Sequence, residues 1–354
     1  MKKMISIFLA IIMLALSFPV SAFADDIEAT MRHNYGALSD PDEEFMGIIE
    51  TDEPTRSLPS SVNNTAFFPS PGNQGNQNSC VGWAVAYAMK SGSEYLKRGW
   101  TISYSKHQFS PAYIYNQING GQDDGATIVD ALNKMLLKGC CTSTYFPYNE
   151  NNYTTQPSQN QHANAALYGI GAYTKMVNIT QIKNAIASGK GVVIAVKVYP
   201  DMENISSTNQ IYDSTAGTAP ALGHAICLVG YNDNKGSGAF KFINSWDTSW
   251  GLNGYGWISY NLVNSSSVNI NGAGVGYYIT TMADHYVMGD SDSDGVVTSA
   301  DARKALRYAI GTETPTPTQY ALSDVNGDSL VTSSDSNEIL SYALGNISTF
   351  SLYS

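Results

Sequence analysis

Cys80 closes the loop "NQGNQNSC" and opens the apolar run "VGWAVAYAM". A thiol used only for packing would sit inside such a run. At its edge, the dipole and free N–H groups of a helix N-terminus stabilise a thiolate. A thiolate nucleophile needs a base beside it. Of the five histidines, His33 lies in acidic text, His285 at a junction, and His107 and His162 in polar, loop-like text. His224, in "ALGHAICLVGY", begins an apolar strand-like run and is the best placed. A histidine there is more often a satisfied core residue, but "FINSWDTSWGLNGYGW" changes the odds. The Asn244 amide can orient an imidazole through its second nitrogen, and the Trp246 indole can screen that bond from water. A helix N-terminus and a neighbouring His224 together predict a lowered pKa for Cys80.

A second constellation lies near the end of the chain. Asp290, Asp292, Asp294 and Asp301 occupy positions 1, 3, 5 and 12 of a twelve-residue loop, with Gly295 at 6, Val296 at 7 and Thr298 at 9. The pattern returns 34 residues later as Asp324, Asn326, Asp328, Leu330, Thr332 and Asp335, with Ser329 in place of the glycine. Alternating carboxylates on a tight loop converge their oxygens on one hard cation, the pattern of Ca²⁺. Each loop runs into an apolar helical stretch, "ARKALRYAIG" and "SNEILSYALG". The duplicated unit reads as one small domain holding two ions.

These residues must be positioned by a chain of 354 residues, enough for two domains. Residues 1–24 read as a signal peptide: Lys2 and Lys3, an apolar stretch, then Ala22-x-Ala24 before Asp25. No later stretch is long and apolar enough to span a bilayer, so a secreted, extracellular protein free of the membrane after cleavage is expected. Residues 25–57 carry ten acids and two bases, residues 57–285 are near neutral, and the tail from 286 carries nine acids and three bases. An acidic chain without basic clusters argues against nucleic acid as a partner. Four cysteines are too few for a disulfide scaffold, and Cys140, Cys141 and Cys227 are expected reduced or buried. Residues 25–57 lack periodicity and read as a leader or short pro-segment, either crossing a cleft or serving as a spacer. Residues 58–282 bear the core. Their first half is helical, with Ile128, Ala131, Leu132, Met135 and Leu136 on one face. Their second half is strand-like, in "GVVIAVKVY", "HAICLVGY", "AFKFINSW", "GYGWISY" and "VGYYITTM". Helices first and strands second predict an α+β fold of two lobes with a cleft between them.

Cys80 with its leading loop, "GHAICLVGY" and "NSWDTSWGLNGYGW" resemble the papain family of cysteine peptidases, with His224 and Asn244 following Cys80 by 144 and 164 residues. "LPSSV", "FSPAYIY", "DDGATIVDAL" and "YFPY" extend the likeness over 58–282. The resemblance implies a helical lobe and a β-barrel-like lobe. It implies Cys80 as nucleophile, His224 as base and acid, Asn244 as its orienting residue, and Gln74 with the Cys80 N–H as oxyanion donors. Substrate binding is implied at Gly125, Ala126, Ile128, Leu222, Ala225 and Trp246, and no cofactor for catalysis. Val81 stands where plant-type members have Trp, Gln77 replaces a structural Cys, and Gly223 replaces an acid or amide. These departures bear on specificity more than on chemistry. The same site also suits a transglutaminase-like acyl transferase, or a silent module whose cleft holds a peptide. The tail, 287–354, resembles a type I dockerin, an all-α module of two loop–helix repeats joined here by a short junction at 283–286. That likeness implies two Ca²⁺ ions, a cohesin module of a cellulosome scaffoldin as partner, and partner choice at Ser299, Ala300, Ser333 and Ser334.

Overall fold

The described chain opens with two short strands, β1 (Ile48–Ile49) and β2 (Ser61–Asn63). Three consecutive helical stretches then make one rod, α1: Cys80–Gly82, a π-helical Trp83–Lys90, and Ser91–Arg98. Ser79 stands at its N-cap, but its hydroxyl bonds the Tyr148 hydroxyl at 2.8 Å instead of the backbone. The side chain therefore satisfies none of the free N–H groups at the Cys80 end. Gly99, at φ 69°, ends the rod in the left-handed conformation that helix C-termini favour. α2 (Pro111–Tyr115) starts on a Ser110 cap with proline in its first turn. α3 (Ile128–Lys138) is capped by Thr127 and buries Ile128, Ala131, Leu132 and Met135, the apolar stripe legible in the sequence. α4 (Gln159–Ala166) begins with a Ser158–Gln161 capping box.

The second half supplies β3 (Gly169–Met176), α5 (Ile179–Ala187), β4 (Val192–Val196), α6 (Pro200–Glu203), β5 (Ile211–Tyr212), β6 (His224–Asn232), β7 (Ala239–Ile243), β8 (Tyr255–Ser259), α7 (Tyr260–Val263) and β9 (Gly276–Ala283). The nine strands share one open sheet in the order β1-β3-β9-β4-β6-β7-β8-β5, with β2 also paired to β6. β4 is buried along its whole length and β6 along all but its last residue, so both are near-continuous apolar runs. The antiparallel register of β6 and β7 sets Cys227 opposite Ile243, and this brings the start of β6 near the end of β7.

The tail forms α8 (Ser299–Ala309), α9 (Pro317–Ser323) and α10 (Ser333–Ala343). α8 and α10 are the expected loop-following helices. α9 is additional: in "TPTPTQ", Pro317 is the first helical residue and Thr316 with Gln319 forms a capping box. The prolines of that stretch start a helix instead of only preventing one. Ala305, Leu322, Val325 and Ile339 close the module's core, which is continuous with that of the helical lobe.

The structure is a computed structural model that describes residues 32–41, 44–51, 57–102, 105–283 and 287–353. The expected signal peptide, the start of the leader and junction residues 284–286 lie outside these. Residues 33–354 form one compact unit. The helical lobe meets the tail through Tyr145, whose hydroxyl donates to Asp324, through Lys106 on the Ser351 carbonyl, and through His107 on the Leu352 carbonyl. All four cysteines are buried and unpaired. Among the described residues no helix is long and apolar enough to cross a membrane. Small-angle scattering of the full chain in calcium should fit one arrangement, with the tail against the helical lobe. A broad ensemble of extended arrangements would contradict these contacts.

Candidate active site and calcium loops

Cys80 is the first residue of α1 and His224 the first of β6, so the two come from the two halves of the chain. The backbone N–H of Ala225 donates to Cys80 Sγ at 3.4 Å, which seats the thiol against the start of the strand that carries the imidazole. His224 Nε2 meets Asn244 Oδ1 at 2.7 Å. An amide oxygen only accepts, so the proton sits on Nε2. Nδ1 is left as the buried ring nitrogen without a partner. Asn244 follows β7 directly, and its oxygen also takes the Ser245 N–H at 2.9 Å. Trp246 covers the pair, its ring 4.5 Å from that of His224 and 28° from parallel, with Trp250 edge-on behind it.

Gln74 is held from two sides. Its Oε1 accepts from the Ser245 hydroxyl at 2.7 Å, and its backbone N–H donates to the Ser245 carbonyl at 2.9 Å. Its Nε2 donates to the Gln77 carbonyl at 2.9 Å, which leaves its second N–H for the cleft. Ser245 had no role in the sequence reading; the only signal was its place between Asn244 and Trp246.

The leader lies in this cleft. Ala126 N–H donates to the Gly36 carbonyl at 2.8 Å, and Leu38 N–H donates to the Ala126 carbonyl at 3.0 Å. Gly36 and Ala37 both donate to the Gly223 carbonyl, and Gly223 donates back to Ala37. The Asn34 carbonyl accepts from Gln74 Nε2 at 3.1 Å. His33 stacks on Trp246 at 4.3 Å, within 6° of parallel, and Tyr35 packs edge-on to His224. The leader thus runs across the cleft, and residues 44–50 continue to the sheet edge, where β1 pairs with β3. Its extended backbone borrows partners from the cleft and needs no periodicity of its own. That is why the sequence left the choice between pro-segment and spacer open.

The expected substrate contacts divide. Gly125 and Ala126 line the leader's path, and a Cβ on Gly125, at φ 92°, would collide with the Gly36 backbone. Ala225 reaches the thiol through its N–H. Ile128 is fully buried at the start of α3. Leu222 is half-buried, and the adjacent Gly223 makes the backbone pairing in its place.

With the leader in place, burial pushes the Cys80 thiol up to about 12, against the hydrogen bond from Ala225. Burial also drives His224 down to about 4, against the Asn244 bond. The lowered thiol pKa expected from the helix N-terminus is not met in this covered form. Desolvation of the charged species outweighs the dipole, and the pair stays neutral.

In the first calcium loop one carboxylate oxygen each of Asp290, Asp292 and Asp294 lie within 4.8 Å of one another. Asp290 accepts from Asp294 and Gly295 N–H, and Asp301 from Asp292 and Thr298 N–H, so backbone donors aim the carboxylates. Asp324 and Asp335 are held the same way in the second loop. Burial lifts Asp324 to about 6, against the Tyr145 hydrogen bond, with Asp335 and Asp328 adding to the rise. Crowded acids on an all-oxygen donor set fit a hard cation. Each loop needs left-handed residues at positions 4 and 6. Ser293 and Gly295 supply them in the first, Gly327 and Ser329 in the second. Ser329 therefore takes the conformation that the missing glycine would have taken. Val296 and Leu330 are exposed, and Thr298 and Thr332 cap α8 and α10. Ser299, Ser333 and Ser334 are exposed and Ala300 half-buried.

The papain family cysteine protease model matches residues 60–275, and the dockerin type I model matches 288–342. The chain belongs to the papain family of cysteine proteases. It also carries a dockerin type I domain. It is 26% identical over 195 residues to Peptidase 1 of Dermatophagoides pteronyssinus, covering 53% of this chain and 57% of that protein. It is 31% identical over 115 residues to a cathepsin B-like cysteine proteinase of Caenorhabditis elegans, covering 32% of this chain and 29% of that protein. The chain thus spans about three fifths or less of these curated relatives. Xylellain, a cysteine protease from Xylella fastidiosa, shares the fold at TM-score 0.59 and 23% identity, over 71% of this chain and 98% of that chain. A procathepsin B from Trypanosoma congolense does so at 0.57 and 20%, over 73% and 88%.

In the papain-family domain the thiol is fully buried while the leader lies across the cleft, so removing the leader should change thiol reactivity. Iodoacetamide at pH 6 should label Cys80 slowly while residues 33–41 stay bound, and at least tenfold faster once they are released by limited proteolysis. Mass spectrometry of the labelled peptides checks this. Equal rates before and after release would refute the covered, neutral pair.

Proposed function

We propose that the protein is a secreted cysteine endopeptidase, held covered by residues 33–41 and attached to a cellulosome scaffold through its dockerin. The observation that carries the peptidase reading is His224, bonded to Asn244 through Nε2 with its Nδ1 unpartnered in the site that holds Cys80. Once the leader leaves and water enters, the Cys80 proton passes to His224 Nδ1. The thiolate sulfur then bonds to a peptide carbonyl carbon. The resulting oxyanion accepts from the Cys80 N–H and from Gln74 Nε2, which in the covered chain is spent on the Asn34 carbonyl. His224 returns its proton to the leaving nitrogen as the C–N bond breaks. A water, deprotonated by His224, attacks the thioester and releases the acid and the thiol. No metal takes part in these steps. Asn244 keeps the imidazole in the tautomer that both transfers need, and Trp246 keeps water off that bond.

Casein-type hydrolysis by the leader-released protein tests the reading. Cys80→Ala should abolish it. Gln74→Ala should lower kcat by roughly 10²–10³, the usual cost of one oxyanion donor. Unchanged turnover in Cys80→Ala would refute the nucleophile, and amine incorporation without hydrolysis would point to acyl transfer.

For the dockerin, Asp290, Asp292, Asp294, Thr298, Asp301 and the Val296 carbonyl would hold one Ca²⁺. Asp324, Asn326, Asp328, Thr332, Asp335 and the Leu330 carbonyl would hold a second. The ions would neutralise the crowded acids and fix the loops that launch α8 and α10. Ser299-Ala300 and Ser333-Ser334 would each offer a face to a cohesin, used one at a time. Removing one of two equivalent modes costs about 0.4 kcal/mol. Bulky charged residues at Ser299 and Ala300 should thus leave most of the affinity, and changing both pairs should remove it. Titration calorimetry against a matching cohesin decides this. Loss of binding from the first change alone would make that unit the sole contact, and binding in excess chelator would overturn the calcium requirement.

A further inference from the structure

Glu203 ends α6 inside the cleft and is 2% exposed. A buried carboxylate is costly unless partners satisfy it. Each of its oxygens meets a side chain of the leader. Oε2 meets His33 Nδ1 at 2.6 Å, and Oε1 accepts from the Tyr35 hydroxyl at 2.5 Å. His33 and Tyr35 flank Asn34, the residue whose carbonyl takes the Gln74 amide. Glu203 therefore grips the side chains on either side of the residue presented to the oxyanion donors. Above it the His33 imidazole lies flat on the Trp246 indole. A planar nitrogen-bearing group thus lies on an aromatic face with its edge against a carboxylate.

We propose that, once the leader has gone, Glu203 and Trp246 form a specificity subsite for a planar cationic side chain, arginine above all, next to the residue that is cleaved. This rests on the peptidase reading above. A guanidinium stacks on an indole and donates two parallel N–H bonds to a carboxylate, which an ammonium cannot match. A peptide that offers Glu203 no donor forgoes those bonds. Glu203 is a specificity residue and not a catalytic one, because it reaches side chains on either side of the reacting carbonyl and not the carbonyl itself. The leader uses the same grip with an imidazole and a phenol. The sequence offered no signal for it: "YPDMEN" carries no motif.

The test uses the full chain with His33→Ala and Tyr35→Ala, which remove the leader's side-chain hold on Glu203, after limited proteolysis has cut residues 33–41 and freed the cleft of the backbone pairing as well. Matched fluorogenic peptides carry arginine, its uncharged isostere citrulline, or aspartate beside the cleaved residue. The arginine peptide should be preferred over citrulline by roughly tenfold or more in kcat/KM, carried mainly by KM. Adding Glu203→Gln should bring that ratio to within about twofold of one. Adding Glu203→Lys should turn the preference toward aspartate. These are ratios within one variant, so a general loss of activity does not affect them. Cleavage with no arginine preference, or a preference that survives Glu203→Gln, overturns the subsite and leaves the peptidase reading standing. No cleavage of any peptide by any variant overturns the peptidase reading and this proposal with it.

Discussion

The hydrogen bond between His224 Nε2 and Asn244 Oδ1 is the constraint around which the cleft is built. It requires the start of β6 and the residue after β7 to stay side by side, which the antiparallel register of those strands secures. It fixes which ring nitrogen is free. It also needs protection, since water competing for either atom would release the ring. Trp246 gives that cover, two residues beyond Asn244, and Ser245 between them turns its hydroxyl to Gln74. Three consecutive residues thus orient the imidazole, hold the Gln74 side chain and cover the ring. The thiol needs less: the end of a rod and a backbone N–H from Ala225.

The same burial that protects the hydrogen bond opposes charge separation. A thiolate–imidazolium pair gains from its Coulomb attraction only if the desolvation of both ions is repaid. With residues 33–38 overhead, burial dominates and the neutral pair is favoured. The leader acts on the site in two ways. It blocks the backbone edges at Ala126 and Gly223 and takes a donor of Gln74. It also keeps the pair dry. The helix N-terminus and Glu203, whose charge favours a protonated His224, push the other way but do not prevail under cover.

Much of this was legible in the sequence, and the rest was not for identifiable reasons. The thiol, imidazole and amide stood in motifs whose residue types have few alternative uses. α3 announced itself by its stripe, and β4 and β6 to β9 by apolar runs between turn residues. β3, "GIGAYTKM", was missed because two glycines break the run, and its pairing with β9 is what makes it a strand. α9 was missed because "TPTPTQ" reads as a breaker unless the second proline is placed at the first helical turn. The leader's path and Glu203 depend on long-range pairing alone, so no local pattern carries them. The lowered thiol pKa was inferred from the helix end without weighing burial, and burial reverses the sign.

The tail's attachment bears on its own duplication. Two near-identical units need not be equivalent once one of them is anchored. Tyr145 reaches only the second loop, at Asp324, and the C-terminal turn at 351–353 is held by Lys106 and His107. α9 and the end of the chain therefore face the helical lobe. Yet the exposed apolar positions still match across the repeat. Leu306 and Leu340 are 39% and 38% exposed, and Ile310 and Leu344 are both 64%. Anchoring consumes the module's third helix and its terminus, the parts that the duplication does not repeat. The repeated helix faces stay open to solvent, which is the condition that either face must meet to receive a partner. Asymmetry between them comes from the second loop, where Asp324 is bonded to Tyr145, and from α10, where Glu338 and Tyr342 hold the terminal segment.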